Sequence, residues 1–489
     1  MWSIHFGLPY LYHPDEPGYV TIAQDIFKTG DLNPHFFNYP SLFFYIHALA
    51  YIPWYGIGKL TSIIPSLADI PAPLIVAGGV GKTALPATFL LGRILTAAFG
   101  VAAVALVSII GTALTKNSKV GLLSAFLMAI SPSHVLHSHY ITPDAYLVFF
   151  VLLAFWGCIR VFHYGKTWHY AIAGIASGLV ASTKYNGSLI ILSLLSAHFL
   201  RFGMKGFREY RLYLALAMSG VAFFATTPFA LLDHQKFLSD LSYEARHYST
   251  GHPGAEGNSL SFYLSYLLRV EGPLIFLAFF EIVRGIYSRS KETILATTFP
   301  LAYFIFINSF VVRNDRTILP IVPFLIILAS IFLIYLFRES ITVRGNSRIY
   351  LNLIVGTILV MTLIWPLVNS VKRDIRLSTV DSRETARIWI DHNLPQGARI
   401  AVESYSPYVD PQRFIVQGFG KLIDHAPEWY ISNGFEYIVF SQGMFSRYFN
   451  SPVQYASEIS DYEKLFQAFN VVKTFQDGGY EIRVYQIGD

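Results

Sequence analysis

Long apolar runs dominate this sequence and limit the folds that it can adopt. A membrane-spanning helix needs about 20 predominantly apolar residues, and about ten such runs follow one another between residues 88 and 370. Charged residues make up only 14% of the chain, against roughly 25% in soluble domains. The sequence therefore predicts a polytopic α-helical membrane protein. The predicted spans are 88–114, 120–136, 143–160, 169–183, 187–201, 211–228, 262–286, 293–311, 317–337 and 349–370.

The cations in the connecting loops predict an orientation. Lys and Arg concentrate in every second connection and are sparse in the others. Because cytoplasmic loops carry an excess of Lys and Arg, we expect the cation-rich connections in the cytoplasm and the remaining loops on the outer face. The cation-rich connections contain Lys116, Lys119, Arg160, Lys166, Arg201, Lys205, Arg208, Arg211, Arg284, Arg289, Lys291, Arg338, Arg344 and Arg348.

The sequence divides into three predicted regions. Residues 1–87 are predicted to form a first outer loop with surface helices, and we expect a further membrane helix ahead of it, since an external loop needs a span or signal peptide to export it. The apolar stretch 41–58 is predicted to lie at the outer surface, although it could instead be a span. Residues 88–370 form the transmembrane helical domain, and residues 371–489, which are more charged and polar, form a small extracytoplasmic α/β domain.

The last region carries the patterns of short helices and strands. A helix is predicted over 381–393, capped by Asp381 or Ser382. A short helix is predicted near 427–433. Strands are predicted at 398–404, 437–441, 471–475 and 481–486.

Composition and short motifs argue against several functional classes. The chain has no basic run with interleaved aromatic residues, so nucleic-acid binding is not predicted. Its one cysteine, Cys158, lies in an apolar run and cannot form an internal disulfide bond. The segment 78–83 (Gly-Gly-Val-Gly-Lys-Thr) resembles a phosphate-binding loop. The earlier glycine that such a loop requires is Val76 here, and no buried strand precedes it.

The unusual polar residues lie in the predicted outer connections. Asp15 and Glu16 stand between two prolines, which hold the turn stiff because proline fixes its own φ and restricts the preceding residue. A solvated turn that caps a helix over 18–28 is the structural alternative. A second cluster, 38–41, contains Tyr39 and opens the apolar stretch.

A third cluster lies between residues 134 and 144. Thr142 can cap the next helix, with Pro143 at its first position and Asp144 in its first turn, where the helix dipole favours a carboxylate. A purely structural role for Asp144 is therefore an alternative. The histidines of this cluster also resemble a metal site, although the spacing is not diagnostic. The candidate ligands of a divalent metal are His137, His139 and Asp144.

Several cations break the charge pattern of the predicted outer loops. Lys184 lies between two spans, and Arg313 and Arg316 precede Pro320. A lysine in such a place could merely extend to the lipid headgroups. Taken with the carboxylates and histidines, however, these cations suit an anionic, lipid-linked substrate and group transfer. Cations would neutralise a phosphate leaving group, and a carboxylate would accept the proton of an attacking hydroxyl.

The order of these motifs resembles that of the C-type membrane glycosyltransferases, in the group of protein O-mannosyltransferases and lipid A aminoarabinose transferases. The resemblance covers the membrane region and extends to residues 371–489. It implies an enzyme that moves a sugar from a polyprenyl-phosphate carrier to a hydroxyl of a protein or glycolipid, on the outer face of the plasma membrane. The motifs are Asp15-Glu16, Asn38-Tyr39-Pro40-Ser41, Thr142-Pro143-Asp144, Thr183-Lys184-Tyr185-Asn186-Gly187, Gly251-His252-Pro253-Gly254 and Arg313-Asn314-Asp315-Arg316.

The resemblance also implies roles for individual residues. Asp15 would be the catalytic carboxylate with Glu16 as its neighbour, and Asp144 would be a second acidic residue of the site. Because the carrier phosphate is already a good leaving group, we expect a single displacement that inverts the anomeric centre. A lipid or sugar transporter is the alternative, since it also explains charges close to lipid, although no inverted repeat of broken spans is evident. The candidate substrate-binding residues are Tyr39, His139, Lys184, His252, Arg313 and Arg316.

Overall fold

A computed structural model describes residues 3–72, 80–342 and 346–488. Two helices and a short ladder precede the main helical bundle. Helix α1 (Glu16–Thr29) ends at Gly30, which adopts the left-handed conformation with φ 73°. The predicted surface segment forms α2 (Leu42–Leu60), which packs against α1. Strand β1 (Tyr10–Leu11) pairs antiparallel with β2 (Gly81–Lys82) and so ties the first residues to the start of the bundle.

Every predicted span is largely helical, and α6 (Pro143–Tyr164) lies in the interior of the bundle. Fifteen of its 22 residues are buried, and α6 contacts α3, α7 and α8. Short 3-10 segments, Tyr185–Ile190 and Asp315–Ile321, lead into α8 and α15. The bundle helices are α3 (Pro86–Thr115), α4 (Ser118–Ala129), α5 (Pro132–His137), α6 (Pro143–Tyr164), α7 (Thr167–Thr183), α8 (Ile191–Phe202), α9 (Tyr210–Thr226), α10 (Phe229–Leu232), α11 (His234–Thr250), α12 (Ser259–Val270), α13 (Leu274–Tyr287), α14 (Lys291–Asn308), α15 (Val322–Thr342) and α16 (Asn346–Ser378).

Five helical segments in the described residues are long and apolar enough to cross a membrane, which is fewer than the number of predicted spans. Two further apolar helices, α4 and α9, are shorter. Of the remaining predicted spans, 169–183 forms α7 with 17 residues and 262–286 is interrupted. The span 293–311 forms the 18-residue α14, which begins with Lys291 and Glu292 and contains Pro300. The five segments are Pro86–Thr115, Pro143–Tyr164, Tyr185–Arg208, Asp315–Thr342 and Ser347–Asn393.

Two predicted spans are interrupted rather than continuous. In 262–286 the helix stops at Val270 and restarts at Leu274, because Pro273 lacks an N–H group and Gly272 has φ 70°. In 120–136 the break falls before Pro132. The two breaks meet, since the Ser131 hydroxyl lies 2.9 Å from Oε1 of the buried Glu271.

Helix α16 runs on to Ser378, past the predicted boundary at residue 371. The residues after it, 379–488, are called the tail, and they fold as a five-stranded sheet with helices, as the α/β prediction requires. The strand order is β4-β3-β5-β7-β6, with β3 parallel to β4 and β5, and β7 antiparallel to β5 and β6. The Asp381 side chain caps α17 by accepting from the Arg383 N–H. Strand β4 and helices α19 and α20 were not predicted. The elements are α17 (Ser382–Asn393), β3 (Arg399–Glu403), β4 (Ile415–Phe419), α18 (Pro427–Ser432), β5 (Tyr437–Ser441), α19 (Gln442–Phe449), α20 (Ala456–Ala468), β6 (Asn470–Phe475) and β7 (Ile482–Gln486).

The tail packs on the end of the bundle at which α1 begins. The Arg383 guanidinium donates to the Tyr12 carbonyl over 3.1 Å, and the Tyr12 hydroxyl donates to Glu384. Lys82, in the segment 78–83 that only resembles a phosphate-binding loop, lies over the Tyr408 ring at 5.5 Å and so makes a structural contact. Gly78 and Gly79 of that segment lie outside the described residues. The tail therefore forms one wall of the space above the bundle.

Candidate active site

A polar cavity of about 580 Å³ opens between the bundle and the tail. The turn before α1, the α5–α6 connection, the loop after α11 and the run before α15 all contribute to its wall. The fold thus brings together several clusters that are far apart in sequence. The predicted site residues that line this cavity are Asp15, His137, His252, Arg313 and Arg316.

Asp15 faces this cavity. It occupies the N-cap position of α1 but makes no capping hydrogen bond. Instead its Oδ2 accepts from Nη1 of Arg316 at 2.5 Å, and its side chain remains 31% exposed. The predicted structural alternative, in which Asp15 merely caps the helix, is therefore not what the side chain does. Its carboxylate is held by a cation and open to a ligand.

Glu16 has a different environment from its neighbour. It is fully buried and forms a bidentate ion pair with Arg93, at 2.7 Å and 3.0 Å. It also accepts the Ile141 N–H at 2.9 Å, while Arg93 donates to the carbonyls of Ile4 and Phe6. Burial alone would raise the pKa of Glu16, but Arg93 outweighs it and holds the pKa below its ordinary value. Glu16 thus joins α1, α3 and the connection before α6.

Asp144 and Lys184 form a second buried ion pair, with Nζ 2.9 Å from Oδ1. Burial by itself would lower the pKa of Lys184, but the Asp144 carboxylate reverses this and raises it. Thr142 stands at the N-cap of α6 as predicted, yet its hydroxyl makes no capping bond. Thr142 Oγ1 and Asp144 Oδ2 are buried without a partner among the described residues. Of these two residues, Thr142 lines the polar cavity.

Lys184 also borders a second, largely apolar cavity of about 200 Å³. The Tyr39 ring lines it and lies 5.6 Å from the Lys184 ammonium group. Tyr248 and Val312 line both this cavity and the polar one, so the two adjoin. The described wall of the largely apolar cavity also contains one carboxylate, Glu244, whose Oε1 accepts from Asn38. A largely apolar cavity with a cation in its wall can hold an apolar chain with an anionic end. Its other aromatic walls are Tyr185, Tyr263, Phe306 and Phe310.

The predicted metal ligands are not assembled into one site. His139 is turned away from the polar cavity, bonding the Val135 carbonyl at 2.7 Å and lying 3.4 Å from Asp374. It lines a separate, mostly apolar cavity beside α3. His137 does line the polar cavity, with Nε2 unpartnered in the described chain. Throughout the described ranges, no three His, Cys, Asp or Glu side chains are grouped closely enough to hold a metal ion.

Arg313 and His252 line the polar cavity, but both are engaged by the protein. The Arg313 guanidinium donates to the carbonyls of Glu256 and Asn258. His252 Nε2 lies 3.2 Å from Nη1 of Arg447 in the tail. These contacts hold the loop after α11 against the run before α15 and against the tail. Of the two predicted arginines, Arg316 is the one that faces Asp15.

Some contributing residues were missed by the sequence reasoning. Arg93 lies inside the predicted span 88–114, and a cation in such a place is rare and usually functional. That signal could have identified it. Arg447 and Tyr405, which line the polar cavity from the tail, carry no sequence signal because the tail's docking brings them there.

The sequence and the structure both have recognisable relatives. Residues 76–239 match the family model described as dolichyl-phosphate-mannose-protein mannosyltransferase. No curated protein sequence matches the chain. The structure matches ArnT from Cupriavidus metallidurans in the apo state, with a TM-score of 0.56 and 15% identity over 99% of this chain and 95% of that one. The chain has the C-type glycosyltransferase fold. The resemblance and the fold class predicted from the motifs are thereby confirmed.

Two further structures share this fold. ArnT bound to undecaprenyl phosphate gives a TM-score of 0.57 at 14% identity, over 99% of this chain and 95% of that one. An oligosaccharyltransferase of Archaeoglobus fulgidus, tethered to an acceptor peptide with an NVT sequon, gives a TM-score of 0.51 at 13% identity. The match covers 97% of this chain and 70% of that one. The fold and the apolar helices support an integral membrane protein. The family match includes Asp144 and Lys184, whereas Asp15 and Arg316 lie outside it.

Proposed function

We propose that this protein is a membrane glycosyltransferase that moves a sugar from a polyprenyl-phosphate carrier to a hydroxyl of a protein or glycolipid acceptor. One observation carries the proposal. The partly exposed Asp15 carboxylate and the Arg316 guanidinium face one polar cavity, which adjoins a largely apolar cavity lined by Lys184. The mannosyltransferase family match and the fold shared with ArnT bound to undecaprenyl phosphate support it.

The two cavities suit the two parts of such a donor. The carrier's apolar chain would enter the aromatic cavity, and its phosphate would lie between Lys184 and Arg316. Both cations would stabilise the charge that the phosphate gains as it leaves. Because Arg316 is paired with Asp15 in the structure, the donor phosphate would compete for the guanidinium and release the carboxylate.

The chemistry would then be one displacement. The acceptor hydroxyl oxygen attacks the anomeric carbon, its proton passes to Asp15, and the bond from the anomeric carbon to the phosphate oxygen breaks. The products are the glycosylated acceptor and the free polyprenyl phosphate. A single displacement inverts the configuration. Asp144 is buried and holds Lys184, so we assign it the placing of that cation.

The same proposal includes the orientation. The site end of the bundle and residues 371–489 would lie on the outer face of the plasma membrane, as the positive-inside pattern predicts. The acceptor would then reach the site from outside. The charge distribution of the loops supports this orientation.

Asp15→Asn tests the proposal directly. It preserves shape but removes the base, and should lower sugar transfer by about 10²–10⁴-fold while donor binding persists. The matched control is Asp25→Asn, an exposed carboxylate in α1, which should transfer at the wild-type rate. Transfer is measured from a radiolabelled polyprenyl-phosphate sugar in nanodiscs. Wild-type transfer by Asp15→Asn would refute the assignment. In a parallel assay with the protein in sealed vesicles, a labelled donor that crosses the membrane while its sugar never leaves the lipid would indicate the transporter instead.

A further inference from the structure

A second polar cavity, of about 560 Å³, lies between the tail and the end of α16. Four arginines line it, two from α16 (Arg373 and Arg376) and two from the tail (Arg383 and Arg447). Among the described lining residues, Asp381 is the one carboxylate. We call this space the arginine cleft. None of the sequence motifs pointed to it.

The arginine cleft keeps a net positive charge after its internal pairs are counted. Asp381 is fully used by Arg383, with two contacts of 2.8 Å. Arg447 donates to neutral groups, including the Tyr405 hydroxyl. The side chains of Arg373 and Arg376 have no carboxylate within 4 Å in the part of the chain that the structure describes, and nearby Asp374 lies beside His139 instead. Uncompensated cations in a cleft attract an anionic ligand.

The arginine cleft adjoins the cavity that contains Asp15. The residues His13, Pro14, Leu136, Tyr140, Tyr405 and Arg447 line both spaces. A ligand of a few sugar rings bound in the cleft could therefore extend a hydroxyl to Asp15. The cleft shares no lining residue with the Lys184 cavity, whereas the polar cavity shares lining residues with both.

Aromatic rings line the same cleft. Tyr480 is 40% exposed there and meets Tyr405 edge to face at 5.8 Å. Flat aromatic faces pack against the C–H faces of sugar rings, while arginine forks bind carboxylates and phosphates with two parallel hydrogen bonds. The combination favours an acidic saccharide over an acidic peptide, which would not need the ring surfaces.

We propose that the arginine cleft binds the acceptor, and that this acceptor is an acidic saccharide. Its carboxylate or phosphate would contact Arg373 and Arg376, and its reacting hydroxyl would reach Asp15. The role of the bound saccharide as the acceptor rests on the proposed function. The binding itself does not depend on turnover.

Ligand-observed saturation-transfer NMR on the full chain in zwitterionic nanodiscs tests the binding. The probes are methyl glucuronide, methyl glucoside and glucose 6-phosphate. The first two differ only at C6, which is a carboxylate in the glucuronide and a hydroxymethyl group in the glucoside. We expect the wild type to bind the two anionic probes about 10-fold more tightly than the glucoside, as one charge-assisted contact allows. In Arg373→Gln/Arg376→Gln this preference should disappear. The control Lys372→Gln, which removes a neighbouring cation that lines a different cavity, should keep it.

The outcomes separate the alternatives. Equal binding of glucuronide and glucoside by the wild type would overturn the proposal, as would tighter binding of an acidic peptide than of either anionic sugar. Displacement of the glucuronide by undecaprenyl phosphate would assign the arginines to the donor. Loss of the preference when anionic phospholipid is added to the nanodiscs would assign them to lipid headgroups. If the preference holds but no sugar is transferred from the donor, the proposed function fails and the anion site stands.

Discussion

The buried pair between Glu16 and Arg93 yields a prediction that separates structure from catalysis. Glu16 accepts three hydrogen bonds, two from Arg93 and one from the Ile141 N–H. Glu16→Gln keeps the shape but leaves the Arg93 charge buried without a counter-ion. Removing one partner of a buried ion pair costs about 3–5 kcal/mol. Since about 1 kcal/mol shifts the unfolding temperature of a large domain by roughly 2 °C, we expect a fall of roughly 6–10 °C.

The assay is thermal unfolding of the purified protein in nanodiscs. Sugar transfer by the same samples is measured at a temperature well below the unfolding transition. The double variant Glu16→Gln/Arg93→Met removes both charges. Its unfolding temperature should return much of the way to that of the wild type, because no unpaired charge is left buried at this position. Asp15→Asn is the matched control. Its partly exposed pair with Arg316 contributes only about 0–1 kcal/mol, so its unfolding temperature should stay close to that of the wild type.

One result would refute this reasoning. If Glu16→Gln unfolds at the wild-type temperature yet loses transfer to the same extent as Asp15→Asn, Glu16 acts in the chemistry. The buried geometry predicts the reverse pattern for the two carboxylates. Asp15→Asn should lose activity at unchanged stability, and Glu16→Gln should lose stability first.

Three further predictions concern the donor, the tail and the orientation. Arg316→Gln should weaken donor binding by about 10- to 150-fold through one lost charge-assisted contact, and unchanged binding of a labelled donor would remove it from the phosphate site. In the tail, burial raises the pKa of Glu403 from its ordinary 4.5 to about 8, although the Ser441 N–H and the Tyr462 hydroxyl donate to it. The folded tail then keeps a proton that the unfolded tail releases, so its stability should fall as the pH rises from about 4.5 to about 8. Hydrogen exchange of β3 should report this, and Glu403→Gln should abolish it. A cysteine at Asp410 should react with an impermeant reagent on intact cells and one at Lys205 should not, and the opposite labelling would invert the orientation.

The sequence alone was enough for the class of the molecule. The long apolar runs and the scarcity of charged residues indicate membrane-spanning helices. In the absence of water a helix satisfies its backbone hydrogen bonds within its own segment. The ordered motifs indicated the glycosyltransferase resemblance that the fold match confirms. Local chemistry also placed the Asp381 cap and most strands of the tail. These features depend on interactions between residues that are close in sequence, so the local pattern of residues is enough to predict them.

The pairing of charges was decided only by the tertiary structure. Asp15 and Glu16 are adjacent and chemically alike, yet one faces a cavity with Arg316 and the other is buried against Arg93. Their partners lie 301 and 77 residues away along the chain. His137 and His139 are just as close in sequence, and α5 turns only the first toward the polar cavity. Such contacts follow from how the helices and the tail pack, because packing joins residues whose separation in sequence carries no periodic or local signal.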